Sequence, residues 1–270
     1  MEHVRISYDK KDQLKMELIA CNLEVAGIRN KRIKTSEFGS AKWIQALNKD
    51  IRHCLAVILI FSESVHNSPY IKAEIEYANK NNISIFLMNF TNQPISSQPA
   101  KNIDVIDFAS REQHHAGIYK LVNKLYPMMN LTRYQKIYEI LYQVVKQIPN
   151  IKWIHLISAD SYRLVGISGL FYDTNNNISP DIHFNTKEDL IAPLAAAPFS
   201  IMERVVENLS LGQARFSIIS GTTAMNLIMI VGSKYEYVLT MYIEGHPSLD
   251  MVMNYFADRD YLAEIEDVWK

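Results

Sequence analysis

The chain has 270 residues and a formal net charge of −1, length enough for one large or two ordinary domains with a core each. A charge so close to balance argues against general electrostatic attraction to nucleic acid or to an anionic membrane. Its two cysteines, Cys21 and Cys54, stand among apolar residues without CxxC or Cys/His spacing, and so read as core thiols in a reducing compartment.

The chain opens without an apolar leader, and no apolar run approaches the length of a membrane span, so a soluble cytosolic protein is expected. Val4 to Tyr8 is a short strand. Residues 10–26 then read as an amphipathic helix, with Leu14, Leu18, Cys21 and Val25 on one face and Gly27 as the stop. Ile28 to Lys34 is a weaker strand candidate, followed by a polar loop from Thr35 to Ser40. A helix from about Lys42 to Arg52 turns Trp43, Ile44, Leu47 and Ile51 inward. Leu55 to Phe61 is unbroken apolar sequence of strand length, as a central parallel strand requires.

After the Ser62–Asn67 loop, Ser68 and Pro69 start a helix, one as N-cap hydroxyl and the other with its φ already set. Ile71, Ile75 and Ala78 recur there at helical spacing and make a narrow buried stripe. Glu74 falls on the edge of that stripe with Tyr70 and Tyr77 one turn to either side, whereas Glu76 points away. On this stretch alone, Glu74 reads as a partly buried carboxylate satisfied by a neighbouring backbone group or Lys. Ile83 to Met88 is the next strand, Ile103 to Phe108 a weaker one, and His114 to Tyr126 a helix that closes the unit. The adjacent His114 and His115 cannot share one helix face, which argues against a metal site.

Strands alternating with helices predict a doubly wound parallel sheet of the flavodoxin-like kind, with ligands bound beyond the carboxyl ends of its strands. That edge gathers Tyr8 and Asp9, the 34–43 loop, Ser62 to Asn67 and the first turns of the Glu74 helix. Neither GxGxxG nor GxxxxGK[ST] occurs, so the usual phosphate-cradling loops are absent.

Val4 to Asp12 resembles the opening strand and loop of Toll/interleukin-1 receptor (TIR) domains. Ala26-Gly27-Ile28, then Trp43 with Leu47 to Ile51, then Val57 to Ser62, follow the family's order of elements. Tyr70-Ile71-Lys72-Ala73-Glu74-Ile75 is similar to its aromatic-xxx-Glu-aliphatic stretch, with Tyr70 where Trp is common and a short loop at 35–41. The resemblance covers roughly residues 3–128. Many bacterial TIR domains cleave NAD at the nicotinamide–ribose bond. The resemblance therefore implies NAD as substrate, no separate cofactor, and Glu74 as the catalytic residue. It implies Tyr8, Asp9, Phe38, Trp43, Ser62 and Tyr70 as the residues around the substrate.

One carboxylate suits that chemistry. Nicotinamide leaves as a neutral amine from a cationic nitrogen, so unlike an ordinary glycosidic oxygen it needs no general acid. The transition state is oxocarbenium-like, and an anion that also orients the ribose hydroxyls stabilises it selectively. Trp43 fits ordinary helix core as well as a ring wall. Lys31, Arg32 and Lys34 could meet a pyrophosphate, but they and His66 also fit a solvated surface.

The pattern changes after Pro127 to Asn130, where the domain boundary is expected, with domains at 1–129 and 130–270. Tyr134, Ile137, Tyr138, Leu141, Val144, Val145 and Ile148 keep helical spacing. Trp153 to Ser158 and Arg163 to Ser168 read as strands, and Lys187 to Leu209 as a helical region bent near Pro193 or Pro198. Phe216 to Ile219, Met225 to Val231 and Tyr235 to Ile243 are three further strands. Residues 247–256 suggest a closing helix, and Asp258 to Asp267 a solvated acidic one.

This order describes a small α+β domain on an antiparallel sheet. Ile157 to Asp160 before a hairpin, the small-residue-rich Ala192 to Leu211, and Leu227 to Gly232 resemble the roadblock / dynein light-chain family over about 131–257. That resemblance implies a homodimer without catalytic residues of its own, serving small Ras-like GTPases. Three readings follow. The first is an NAD-cleaving TIR effector, activated by higher TIR assembly and triggered by a small GTPase or a phage-derived component, as in antiphage defence. The second is a non-catalytic adaptor making only protein contacts, and the third a nucleoside-processing enzyme on a similar sheet. Glu74 separates the first two, since an adaptor has no need of a carboxylate there.

Overall fold

The protein is described by a computed structural model over residues 3–32, 51, 53–63, 69–91, 102–158, 163–168, 216–231, 237–245, 247–258 and 261–269. The elements fall into two compact units, the second beginning with the helix that starts at Thr132. Most of the helix expected over 42–52, the loop beyond Glu63 and the helical region over 187–209 lie outside the described residues.

In the first unit, β1 (His3–Ser7), β2 (Asn30–Arg32), β3 (Cys54–Phe61), β4 (Ser84–Asn89) and β5 (Ile103–Asp107) pair in parallel. The strand order is β2-β1-β3-β4-β5, the flavodoxin-like arrangement. β3 is apolar throughout because it is buried on both faces, with Ala56 to Ile60 at 1% exposure or less. A 3-10 turn at Lys10–Asp12 leads into α1 (Gln13–Val25). Asp9 caps that turn, its carboxylate accepting from the Lys11 amide at 2.9 Å. Leu14, expected on the buried face of α1, is exposed: it stands in the helix's first turn, and burial begins at Met16.

α2 (Pro69–Lys80) connects β3 to β4, and α3 (Arg111–Met128) follows β5. α3 starts earlier than the sequence suggests because Gln113 caps it, its side-chain oxygen accepting from the Ser110 amide at 3.2 Å. From β1 the chain moves outward to β2, and from β3 it moves the other way to β4 and β5. Right-handed crossovers then place α1 and α2 on opposite faces and open a crevice beyond the carboxyl ends of β1 and β3.

The second unit is built on an antiparallel sheet in the order β7-β6-β10-β9-β8. Its strands are β6 (Ile151–Ser158), β7 (Arg163–Ser168), β8 (Phe216–Ser220), β9 (Ala224–Val231) and β10 (Tyr237–Glu244). α4 (Thr132–Gln147) buries Ile137, Tyr138, Leu141 and Val144 against this sheet. α5 (Leu249–Asp258) and α6 (Tyr261–Trp269) close the unit. α6 is not the solvated acidic helix expected from its charges. Tyr261 and Ile265, one turn apart, are buried, and the Tyr261 hydroxyl lies 2.6 Å from that of Tyr255. No described helix is long and apolar enough to cross a membrane.

Candidate functional site

α2 turns Ile71, Glu74 and Ala78 toward the sheet. Ile71 and Ala78 join Val57, Leu59 and Ile85 in a buried cluster, with Ile75 and Tyr77 packed at its margin. A carboxylate in such surroundings needs a cation beside it. Glu74 is 0% exposed, and Arg5, reaching across from β1, is 1% exposed. Arg5 Nε donates to Glu74 Oε1 at 3.1 Å, and Nη2 donates to the same oxygen.

Strand register explains why the partner is Arg5. Arg5 lies opposite Val57 and Ser7 opposite Leu59. Residues paired across a sheet share a face, so Arg5 and Ser7 stand on the face that meets α2, while Val4 and Ile6 fill the other. Ser7 is also 0% exposed, and its hydroxyl has no hydrogen-bond partner among the described residues.

A second group closes the point where the strand order reverses. Ser62, just beyond β3, donates its hydroxyl proton to Asp12 Oδ2 in the turn after β1, and Lys15 Nζ lies 2.7 Å from Asp12 Oδ1. Asp12 and Ser62 are both buried, so the contact ties the ends of the two strands together under the crevice. Tyr8 is buried as well, and the charges acting on it are Glu17 of α1 and Arg32 of β2. Burial pushes its hydroxyl pKa up, Glu17 pushes it further, and Arg32 opposes both.

Of the residues expected at the site, Glu74 is held by Arg5, Ser62 by Asp12, and Asp9 caps the turn between them. Tyr8 faces the charges of α1 and β2. Tyr70 sits in the first turn of α2, its side chain outside the description, and Phe38 and Trp43 lie outside the described residues. Arg32 is taken up by Glu24 at 2.6 Å on the surface, while Lys34 and His66 are also outside the description. Among the described residues no group of three or more His, Cys, Asp or Glu is placed to hold a metal ion. His114 is a core residue between Phe90 and Phe108, with Nε2 2.9 Å from the Phe108 carbonyl.

Arg5, Ser7 and Asp12 escape a reading of the sequence alone. Arg5 carried a usable signal: a cation inside a strand that is otherwise buried must meet an anion, and Glu74 is the acid on the inward stripe of α2.

Among known proteins, residues 4–122 match the family model described as the TIR domain. No curated protein is significantly similar to the chain. Solved structures similar to it include the Roadblock/LC7 domain from Streptomyces avermitilis, at 14% identity over 48% of this chain and 93% of that one, with a TM-score of 0.38. MglB from Myxococcus xanthus is similar at 16% identity over 50% and 94%, with a TM-score of 0.38. The gliding protein MglB from Thermus thermophilus is similar at 13% identity over 50% and 90%, with a TM-score of 0.40. Residues 4–122, with their parallel sheet and the Arg5–Glu74 pair, are a TIR domain.

Proposed function

We propose that the chain cleaves NAD at the nicotinamide–ribose bond, with Glu74 as the carboxylate that faces the developing oxocarbenium ion. The observation that carries this reading is a carboxylate held by Arg5 beneath the β1/β3 crevice of a TIR domain, a family that includes NAD-cleaving enzymes. Departure of neutral nicotinamide asks the protein for no proton donor, only for negative charge and a grip on the ribose. The pair with Arg5 is the resting arrangement, and Glu74 works after leaving it. The route is short. Side chains on a helix lean toward its N-terminus, and α2, joining two parallel strands, begins at the crevice end. Asp9 and Ser62 border that crevice, and Tyr8, Phe38, Trp43 and Tyr70 complete our assignment of substrate contacts.

The reading extends to an assembly-activated effector of antiphage defence, as the family resemblance implies. Self-association through 130–270 is supported by apolar side chains left exposed on the edge strand β8, Phe216 and Ile219, and on α5, Leu249 and Met251. Assembly is the step that releases Glu74, with a small GTPase or a phage-derived component as trigger. A plaque assay tests the biological role: cells expressing the wild-type chain lower phage titre, and equal titres with Glu74→Gln sink it.

One observation favours a second reading. Complete burial of Glu74 against Arg5 is also what a purely structural ion pair looks like, and a non-catalytic scaffold would keep it closed. Nicotinamide release decides between them. The purified chain incubated with NAD is expected to yield nicotinamide, Glu74→Gln none, and the exposed Glu76→Gln a near-wild-type amount. Turnover by Glu74→Gln at the wild-type rate would remove Glu74 from the chemistry.

A further inference from the structure

We propose that Ser7 is a positioning residue for Glu74, its hydroxyl being the donor that holds the carboxylate once it has left Arg5 and risen to the crevice. The inference rests on the NAD-cleaving reading and adds a second station for the same group. A buried hydroxyl without a hydrogen bond is uncommon and unfavourable, and Ser7 is fully buried without one among the described residues. Such a group is explained if its partner arrives in another state of the site.

Position names the partner. Ser7 shares the α2-facing side of β1 with Arg5 and lies two residues, about 6.6 Å, nearer the crevice. Its register partner Leu59 packs against α2 in the cluster that contains Ile71 and Ala78, the residues flanking Glu74 on the inward stripe. The Glu74 side chain leans along α2 in the same direction, toward the helix start. Rotation about its own torsions therefore carries the carboxylate from the level of Arg5 toward that of Ser7. There it exchanges a guanidinium for one hydroxyl. The Ser7 O–H donates to one carboxylate oxygen, and the remaining acceptor sites stay open for ribose hydroxyls. Arg5 is the resting partner and Ser7 the working one.

The test uses the full chain and two substitutions. Because the hydroxyl makes no bond at rest among the described residues, Ser7→Ala is expected to melt at or above the wild-type temperature. Its kcat for nicotinamide release should nonetheless fall about tenfold, with KM within a factor of two, since only the reacting state loses an interaction. Ser7→Thr, which keeps the hydroxyl, should recover most of that loss. A Ser7→Ala enzyme with wild-type kcat overturns the inference and leaves NAD cleavage standing. So does a lowered melting temperature with a matching loss of activity, which would mark Ser7 as structural, or a stable Ser7→Thr that recovers nothing. Absence of nicotinamide from the wild-type chain at every concentration overturns the parent reading, and the role of Ser7 with it.

Discussion

Arg5 and Glu74 are both buried, and the ion pair between them offsets the cost of taking each charge out of water. Removing the cation alone leaves a buried charge, and Arg5→Met is expected to cost about 3–5 kcal/mol in urea unfolding. Removing both charges is a different change: Arg5→Met with Glu74→Leu should regain most of that loss, because an apolar pair suits the cluster around Ile71 and Leu59. An Arg5→Met protein as stable as wild type would show that the pair is not closed in solution. Tyr8 makes a separate prediction. Its raised pKa means that the fold favours the neutral hydroxyl, so its contribution is intact below the ordinary tyrosine value near 10 and lost as pH rises through the higher folded value. Stability should therefore drop above about pH 10, and Tyr8→Phe should drop less over the same range in parallel unfolding curves. Glu74 was visible in the sequence because a helical stripe shows what interrupts it. Arg5 is legible only as a cation in a buried strand that must meet an anion. Its pairing with Glu74 is not, because the partner is 69 residues away and strand register brings the two together.

Elements were legible where one local rule decides them. The apolar run of β3 and the Pro69 start of α2 depend on residues beside one another, and both appear as read, whereas the Ser68 cap lies outside the described residues. The misreadings came from context. Leu14 matches a helical period but precedes the buried part of α1, and the acids of α6 hide the spacing of Tyr261 and Ile265. α3 shows how closely an element can be seated. A Cβ on Gly117 would lie 2.5 Å from the Phe108 ring, which packs against Phe90 at 5.2 Å and His114 at 5.1 Å and so cannot turn aside. Ala raises helix propensity by about 1 kcal/mol, but overpacking costs about 1–3 kcal/mol, and the clash should win. Gly117→Ala is thus expected to lower the unfolding midpoint, and a raised midpoint would contradict this packing.

At the scale of the whole molecule, the first unit holds the buried carboxylate proposed for catalysis and the second is the one expected to associate. A dimer through residues 130–270 would raise the effective concentration of a second TIR domain to about the millimolar range, enough to favour weak contacts between them. A two-fold dimer does not by itself generate a head-to-tail TIR contact, so activity should be low in dilute solution and rise steeply as further contacts form. The proposed association uses the exposed Phe216 and Ile219 of β8, and replacing both with Ser should flatten that rise while leaving each unit folded. The most direct measurement is nicotinamide released from NAD by the purified full chain across a protein concentration series, with Glu74→Gln run beside it. The account predicts a rate per molecule that climbs with wild-type concentration and no release from Glu74→Gln at any point. Release by Glu74→Gln equal to wild type, or none from the wild-type chain even when concentrated, would contradict it.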